Sequence, residues 1–167
     1  MIRKVFLTLL FLLLTQVCFA SLIVKMGQAD ANGEGRNLGT VKLDDTIYGL
    51  VLTPRLYHLP PGAHGFAVYT VASCDDYGNA AAGHYDPDRS FQHRGPYRGD
   101  GHLGDLPVLI VDAAGKATLP VLAPRLKLSD IKDHALVIIA GGDNYSDNPL
   151  KINNNKRRIA CGIIPYF

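Results

Sequence analysis

One stretch limits the fold more than any other: residues 84–105, HYDPDRSFQHRGPYRGDGHLGD. It carries Gly95, Gly99, Gly101, Gly104, Pro87 and Pro96, too many breakers for a helix or a strand. A loop of this length inside a compact domain needs something to hold it or a job to do. Three of the chain's six histidines sit here, at 84, 93 and 102, in the spacing H-x8-H-x8-H-x2-D that ends on Asp105. Three imidazoles and a carboxylate are the donors that a tetrahedral zinc takes, at about 2.0–2.2 Å. Such an ion would hold the loop where a hydrophobic core cannot reach. Asp86, Asp88 and Asp100 compete with Asp105 for the fourth position, and composition does not choose among them.

The chain has 167 residues, enough for one domain with a real core. Its start is expected to lie outside that core. Met1-Ile2-Arg3-Lys4 is basic, residues 5–14 are an apolar run, and Gln16-Val17-Cys18-Phe19-Ala20 ends on a small residue. This reads as a Sec-type signal peptide over residues 1–20, cut after Ala20. The run is too short for a membrane span of about 20 apolar residues, and Thr15-Gln16-Val17 is a poor lipobox ahead of Cys18. Residues 21–167 then form the mature domain, exported to the periplasm or secreted. Removing Arg3 and Lys4 leaves 15 Lys+Arg against 15 Asp+Glu, a formal charge of zero. Nucleic-acid binding has no support in that balance, and no membrane contact is expected once the leader is gone. Cys74 and Cys161 remain, and two cysteines in an exported chain read as one disulfide.

Short β-like runs separated by turn clusters fill the mature chain. They fall at residues 22–26, 38–43, 47–53, 65–71, 106–111, 116–121, 135–140 and 158–164. Asp44-Asp45 is expected to turn the second run into the third. Asp112-Ala113-Ala114-Gly115 is expected to form a hairpin between the fifth and sixth. Ser129 would cap a short helical turn. Residues 141–156 form a second long loop, with Asn153-Asn154-Asn155 suited to left-handed turns. The fold class is all-β: eight antiparallel strands in a sandwich or Greek-key barrel with two long loops.

Several of these motifs together resemble the bacterial, periplasmic copper/zinc superoxide dismutases. They are Leu59-Pro60-Pro61-Gly62, His64-Gly65-Phe66, Gly83-His84-Tyr85-Asp86-Pro87 and Gly101-His102-Leu103-Gly104-Asp105-Leu106-Pro107, then Ala123-Pro124-Arg125-Leu126, Gly141-Gly142-Asp143-Asn144 and Arg158-Ile159-Ala160-Cys161-Gly162. The resemblance covers nearly the whole mature chain. It implies that His84, His93, His102 and Asp105 are the zinc ligands, that Cys74 pairs with Cys161, and that Asp143 orients His93. It also matches Arg158 to the arginine that guides superoxide to copper.

The same resemblance implies four histidines around copper. One is the bridging imidazole, matched by His84. The next two fall at i and i+2 of the strand after His-Gly-Phe, positions that share a face of a strand, and the fourth falls before Gly-Gly-Asp. This chain has Ala67, Tyr69 and Ile139 there. Ala and Ile offer no donor, and a phenol with an ordinary pKa of about 10 is a poor ligand. One imidazole cannot hold a redox copper in a defined geometry. His64 matches a structural histidine, and His58 and His134 read as surface or turn residues.

The expectation is therefore a non-redox protein that binds zinc and not copper. Arg158 would keep only a vestigial anion-guiding role among Lys151, Lys156 and Arg157, and no residue would be catalytic. Two alternatives stand beside it: a dismutase with a residual or rewired metal site, and an interaction module that uses the apolar patch at Ala67, Tyr69 and Ile139. A protein partner or homodimer is compatible with the sequence, which names neither.

Overall fold

The computed structural model describes residues 20–33, 35–147 and 157–166. The expected leader, all but Ala20, lies outside them, as do Lys151, Asn153-Asn154-Asn155 and Lys156 of the second loop. Eight strands form a single antiparallel sheet that curls into a nearly closed barrel. They are β1 (Ser21–Gln28), β2 (Asn37–Thr46), β3 (Gly49–Leu56), β4 (Gly62–Tyr69), β5 (Leu109–Val111), β6 (Val121–Ala123), β7 (His134–Ile139) and β8 (Arg158–Ile164). The spatial order β5-β4-β7-β8-β1-β2-β3-β6 places β7 beside β4 and β6 beside β3, the long returns of a Greek key. β1 opens at Ser21, the residue after the expected cut.

Alternation builds the barrel interior. Leu50, Leu52 and Leu56 of β3 point inward with Val41 and Leu43 of β2 and with Val24 and Met26 of β1. On β2 the inward residues jump from Leu38 to Val41, an odd step for a strand. A bulge accounts for it: Met26 faces Gly39 while Gly27 faces Asn37. Gly39 sits at φ 113°, and a side chain there would strike the Arg55 carbonyl.

Strand β4 departs from alternation, with every residue from His64 to Tyr69 buried. Phe66 and Val68 join the main core. Ala67 and Tyr69 point the other way, into a second cluster with Cys74, Ala81, Ala135, Val137 and Cys161, where Ile139 packs. The long loop covers that outer face, so both faces of β4 are dry.

Five sequence expectations are corrected. The β2–β3 turn lies at Ile47-Tyr48 and not at Asp44-Asp45, which belong to β2. Thr46 fixes it: its hydroxyl donates to the Gly49 carbonyl and accepts the Tyr48 N–H, and Gly49 takes φ 117°. The fifth strand starts at Leu109 because residues 105 and 106 are spent pinning the loop to β4. Gly115 closes the expected turn at φ 77°, with its N–H on the Asp112 carbonyl. No hairpin follows, since β5 pairs with β4 and β6, starting only at Val121, pairs with β3. The helical turn Leu128–Asp130 is capped from Lys127, whose N–H donates to the Asp130 carboxylate, and not from Ser129.

Candidate metal centre

The loop at residues 84–105 is stapled to β4 at both ends. His84 bridges Tyr69, and Asp105 bridges Ala67. Between them, the Tyr85 N–H donates to the Val68 carbonyl, the Val68 N–H to Gly104, and the Leu106 N–H to Phe66. Gly104 allows that approach, because a Cβ there would lie 2.3 Å from the Val68 oxygen. The middle of the loop is held by side chains. Asp86 accepts the Ser90 N–H, the Ser90 hydroxyl and the Phe91 N–H. The Arg125 guanidinium donates to the carbonyls of Arg98, Gly101 and His102.

This scaffold brings His84, His93, His102 and Asp105 together, with one donor atom from each lying within 4.8 Å of the others. The Nδ1 atoms of His84, His93 and His102 stand 2.7, 2.9 and 3.4 Å from Asp105 Oδ1. The second carboxylate oxygen accepts the N–H groups of Arg94 and Gly95. His102 Nδ1 is buried with no hydrogen-bond partner among the described residues. A buried ring nitrogen aimed at a carboxylate and two other imidazoles, and otherwise unsatisfied, fits a cation at the centre of the four. Asp86, Asp88 and Asp100 do not join them: Asp86 is occupied as above, Asp88 is exposed, and Asp100 pairs with Arg98.

The electrostatics agree with that fit. Asp105 is buried, which favours its neutral form, yet the hydrogen bonds and charge of His84 and His93 hold its carboxyl well below the usual range. Burial works against a charged His93, but bonds to Asp105 and Asp143 outweigh it and push the imidazole up to about 10. Asp143 Oδ1 lies 2.7 Å from His93 Nε2 and also accepts the Tyr145 N–H.

Beside the cluster, Ala67, Tyr69 and Ile139 meet in one recess with Gly65, His84 and Asp143. Ala67 and Tyr69 are buried, and Ile139 lies over Gly65 so closely that a Cβ there would stand 2.4 Å from Ile139 Cγ1. The second nitrogen of His84, Nε2, meets the Tyr69 hydroxyl at 3.2 Å. Arg158 is occupied, with its nitrogens donating to the Gly78 and Ala82 carbonyls and its guanidinium 4.3 Å over the Tyr69 ring. His64 is a buried brace: Nε2 lies 2.7 Å from the Pro60 carbonyl and Nδ1 3.2 Å from that of Ile139. His58 is exposed, His134 packs against Tyr85 with the two rings tilted by 52°, and neither belongs to the group of four. Cys74 and Cys161 form the disulfide, 87 residues apart in sequence, which ties the segment before His84 to β8.

Three supporting residues escaped sequence reasoning. The Tyr145 hydroxyl donates to the Leu106 carbonyl and accepts the Val108 N–H, joining the second loop to the first. Asp147 accepts the His93 N–H. Arg125 stood inside a matched motif, but no spacing rule assigns it three distant carbonyls.

Comparison with known proteins gives one consistent result. The family model described as copper/zinc superoxide dismutase matches residues 37–164. A protein of Legionella pneumophila named superoxide dismutase [Cu-Zn] is 53% identical over 127 residues, 76% of this chain and 77% of its own length. The one from Photobacterium leiognathi is 44% identical over 167 residues, 95% of each chain. Among solved structures, the Cu/Zn superoxide dismutase from Brucella abortus superposes with TM-score 0.79 at 43% identity, over 87% of this chain and 99% of that one. A SOD-like protein from Bacillus subtilis superposes with TM-score 0.69 at 29% identity, over 88% of this chain and 99% of its own.

Proposed function

The chain belongs to the copper/zinc superoxide dismutase family, and from that membership we propose that it is an exported zinc protein that has lost its copper centre and its dismutase activity. His84, His93, His102 and Asp105 hold the zinc, and Asp143 orients His93. Zinc in such a site supplies binding energy that stabilises the fold and takes no part in electron transfer. The observation that carries the proposal is the donor set around His84 Nε2. The recess beyond that atom is lined by Ala67, Ile139 and a phenol, where a copper site needs nitrogens. Arg158, turned onto Tyr69, has no redox metal to serve, and its anion-guiding role is vestigial. The basic and apolar leader and the Cys74–Cys161 disulfide support export to an oxidising compartment such as the periplasm.

Metal analysis after loading with both ions is the test. One zinc per chain, copper well below one, and no dismutase activity are expected. The triple variant Ala67→His, Tyr69→His, Ile139→His should regain copper. Near-stoichiometric copper with dismutase activity in the wild type ends the reading. One alternative has support in the names of its relatives, superoxide dismutases at 43–53% identity: a dismutase with a rewired metal site. It predicts activity that falls in Arg158→Ala.

A further inference from the structure

The proposed zinc site leaves one group to account for. An imidazole that gives the lone pair of Nδ1 to a cation, and remains neutral, carries its proton on Nε2. For His93 that outward nitrogen has a carboxylate waiting, Asp143 Oδ1 at 2.7 Å. For His84 the hydrogen-bond partner is Tyr69 Oη at 3.2 Å.

We infer that Tyr69 is a positioning residue of the zinc site: its hydroxyl oxygen accepts the Nε2–H of His84 and so holds Nδ1 toward the cation. This rests on the zinc reading above. Three observations support it besides the distance. Tyr69 and His84 are cross-strand partners, so backbone pairing fixes the separation of their side chains. Their rings meet edge to face with centroids 4.8 Å apart, so the two side chains pack directly on one another. The phenol is itself held in place, buried on β4 and covered by the Arg158 guanidinium, which in turn is tied to the Gly78 and Ala82 carbonyls. Arg158, Tyr69 and His84 thus form a fixed series ending at the cluster. Partners that fix the tautomer of a ligating histidine are worth about 10–100-fold in metal affinity.

The experiment compares wild type with Tyr69→Phe, which keeps the ring and its packing and removes only the oxygen. Zinc affinity is read by competition with a chromophoric chelator, and the His84 tautomer by nitrogen-15 NMR of the zinc-loaded wild type. Expected are zinc binding about 10–100-fold weaker in Y69F, a metal-free melting temperature lower by no more than about 4 °C, and the His84 proton on Nε2 in the wild type. Equal zinc affinity in both proteins overturns the role of Tyr69 and leaves the zinc reading standing. A His84 proton on Nδ1 in the loaded wild type overturns it as well, even if Y69F does not fold. A wild type that takes up no zinc overturns both.

Discussion

Replacing Asp105 with Asn tests whether the carboxylate organises the loop by itself, before any ion arrives. The change keeps shape and leaves an oxygen to accept the Arg94 and Gly95 N–H groups, now held at 3.2 and 2.9 Å. It removes the charge facing His84 and His93 at 2.7 and 2.9 Å, from a side chain with no exposed surface. Each hydrogen bond to a buried charged acceptor contributes about 1.5–3 kcal/mol. The new amide recovers part by donating to an unprotonated ring nitrogen, so the net loss is about 3 kcal/mol. For a domain of this size the melting temperature then falls by about 6–12 °C. The assay is urea and thermal unfolding of both proteins in excess chelator. The pH dependence follows from the shifts. The depressed Asp105 pKa stabilises the fold above its ordinary value of 3.8, and that gain is lost in stronger acid. The raised His93 pKa stabilises below its ordinary 6.5, and that gain is lost as pH climbs through about 10. The gap between wild type and D105N is therefore widest between the two ordinary values and narrows on either side. A metal-free difference under about 0.5 kcal/mol, flat with pH, would refute the reasoning.

Removing the disulfide with Cys74→Ser and Cys161→Ser should cost about 4–5 kcal/mol in the chain-entropy picture for a loop this long, and an unchanged urea midpoint would contradict it. Zinc uptake at pH 7 should release about one proton, because His93, pushed up to about 10, must give up its proton to become a ligand. Calorimetry in two buffers of different ionisation enthalpy measures that proton, and equal heats would argue against it. Arg125→Met should lower stability by about 1–2 kcal/mol and speed amide exchange at residues 98–102, which it straps through three carbonyls. Exchange like that of wild type would mean the strap is idle.

Much of this was legible because the signals are local. Alternation in β3 depends on neighbours two apart, and the histidine spacing is visible in a run of 22 residues. Other features depend on contacts distant in sequence. Asp44 and Asp45 read as a turn by composition, but pairing with β3 extends β2 to Thr46, and Thr46 and Gly49 set the hairpin. Lys116 looked like the start of a strand, but the segment meets β3 first as an isolated bridge between Ala117 and Leu56 and pairs with it as a strand only at residues 121–123. Tyr145 and Arg125 act over 37 to 39 and 23 to 27 residues respectively, beyond any single-sequence pattern.

Strand β4 has a consequence for how such a chain can change over generations. Its even positions, Phe66 and Val68, answer to the barrel, while its odd positions, Ala67 and Tyr69, answer only to the cluster under the loop. One ribbon thus carries two independent ledgers of constraint. A lineage can rewrite the odd column, trading one chemistry for another, without the even column registering the edit.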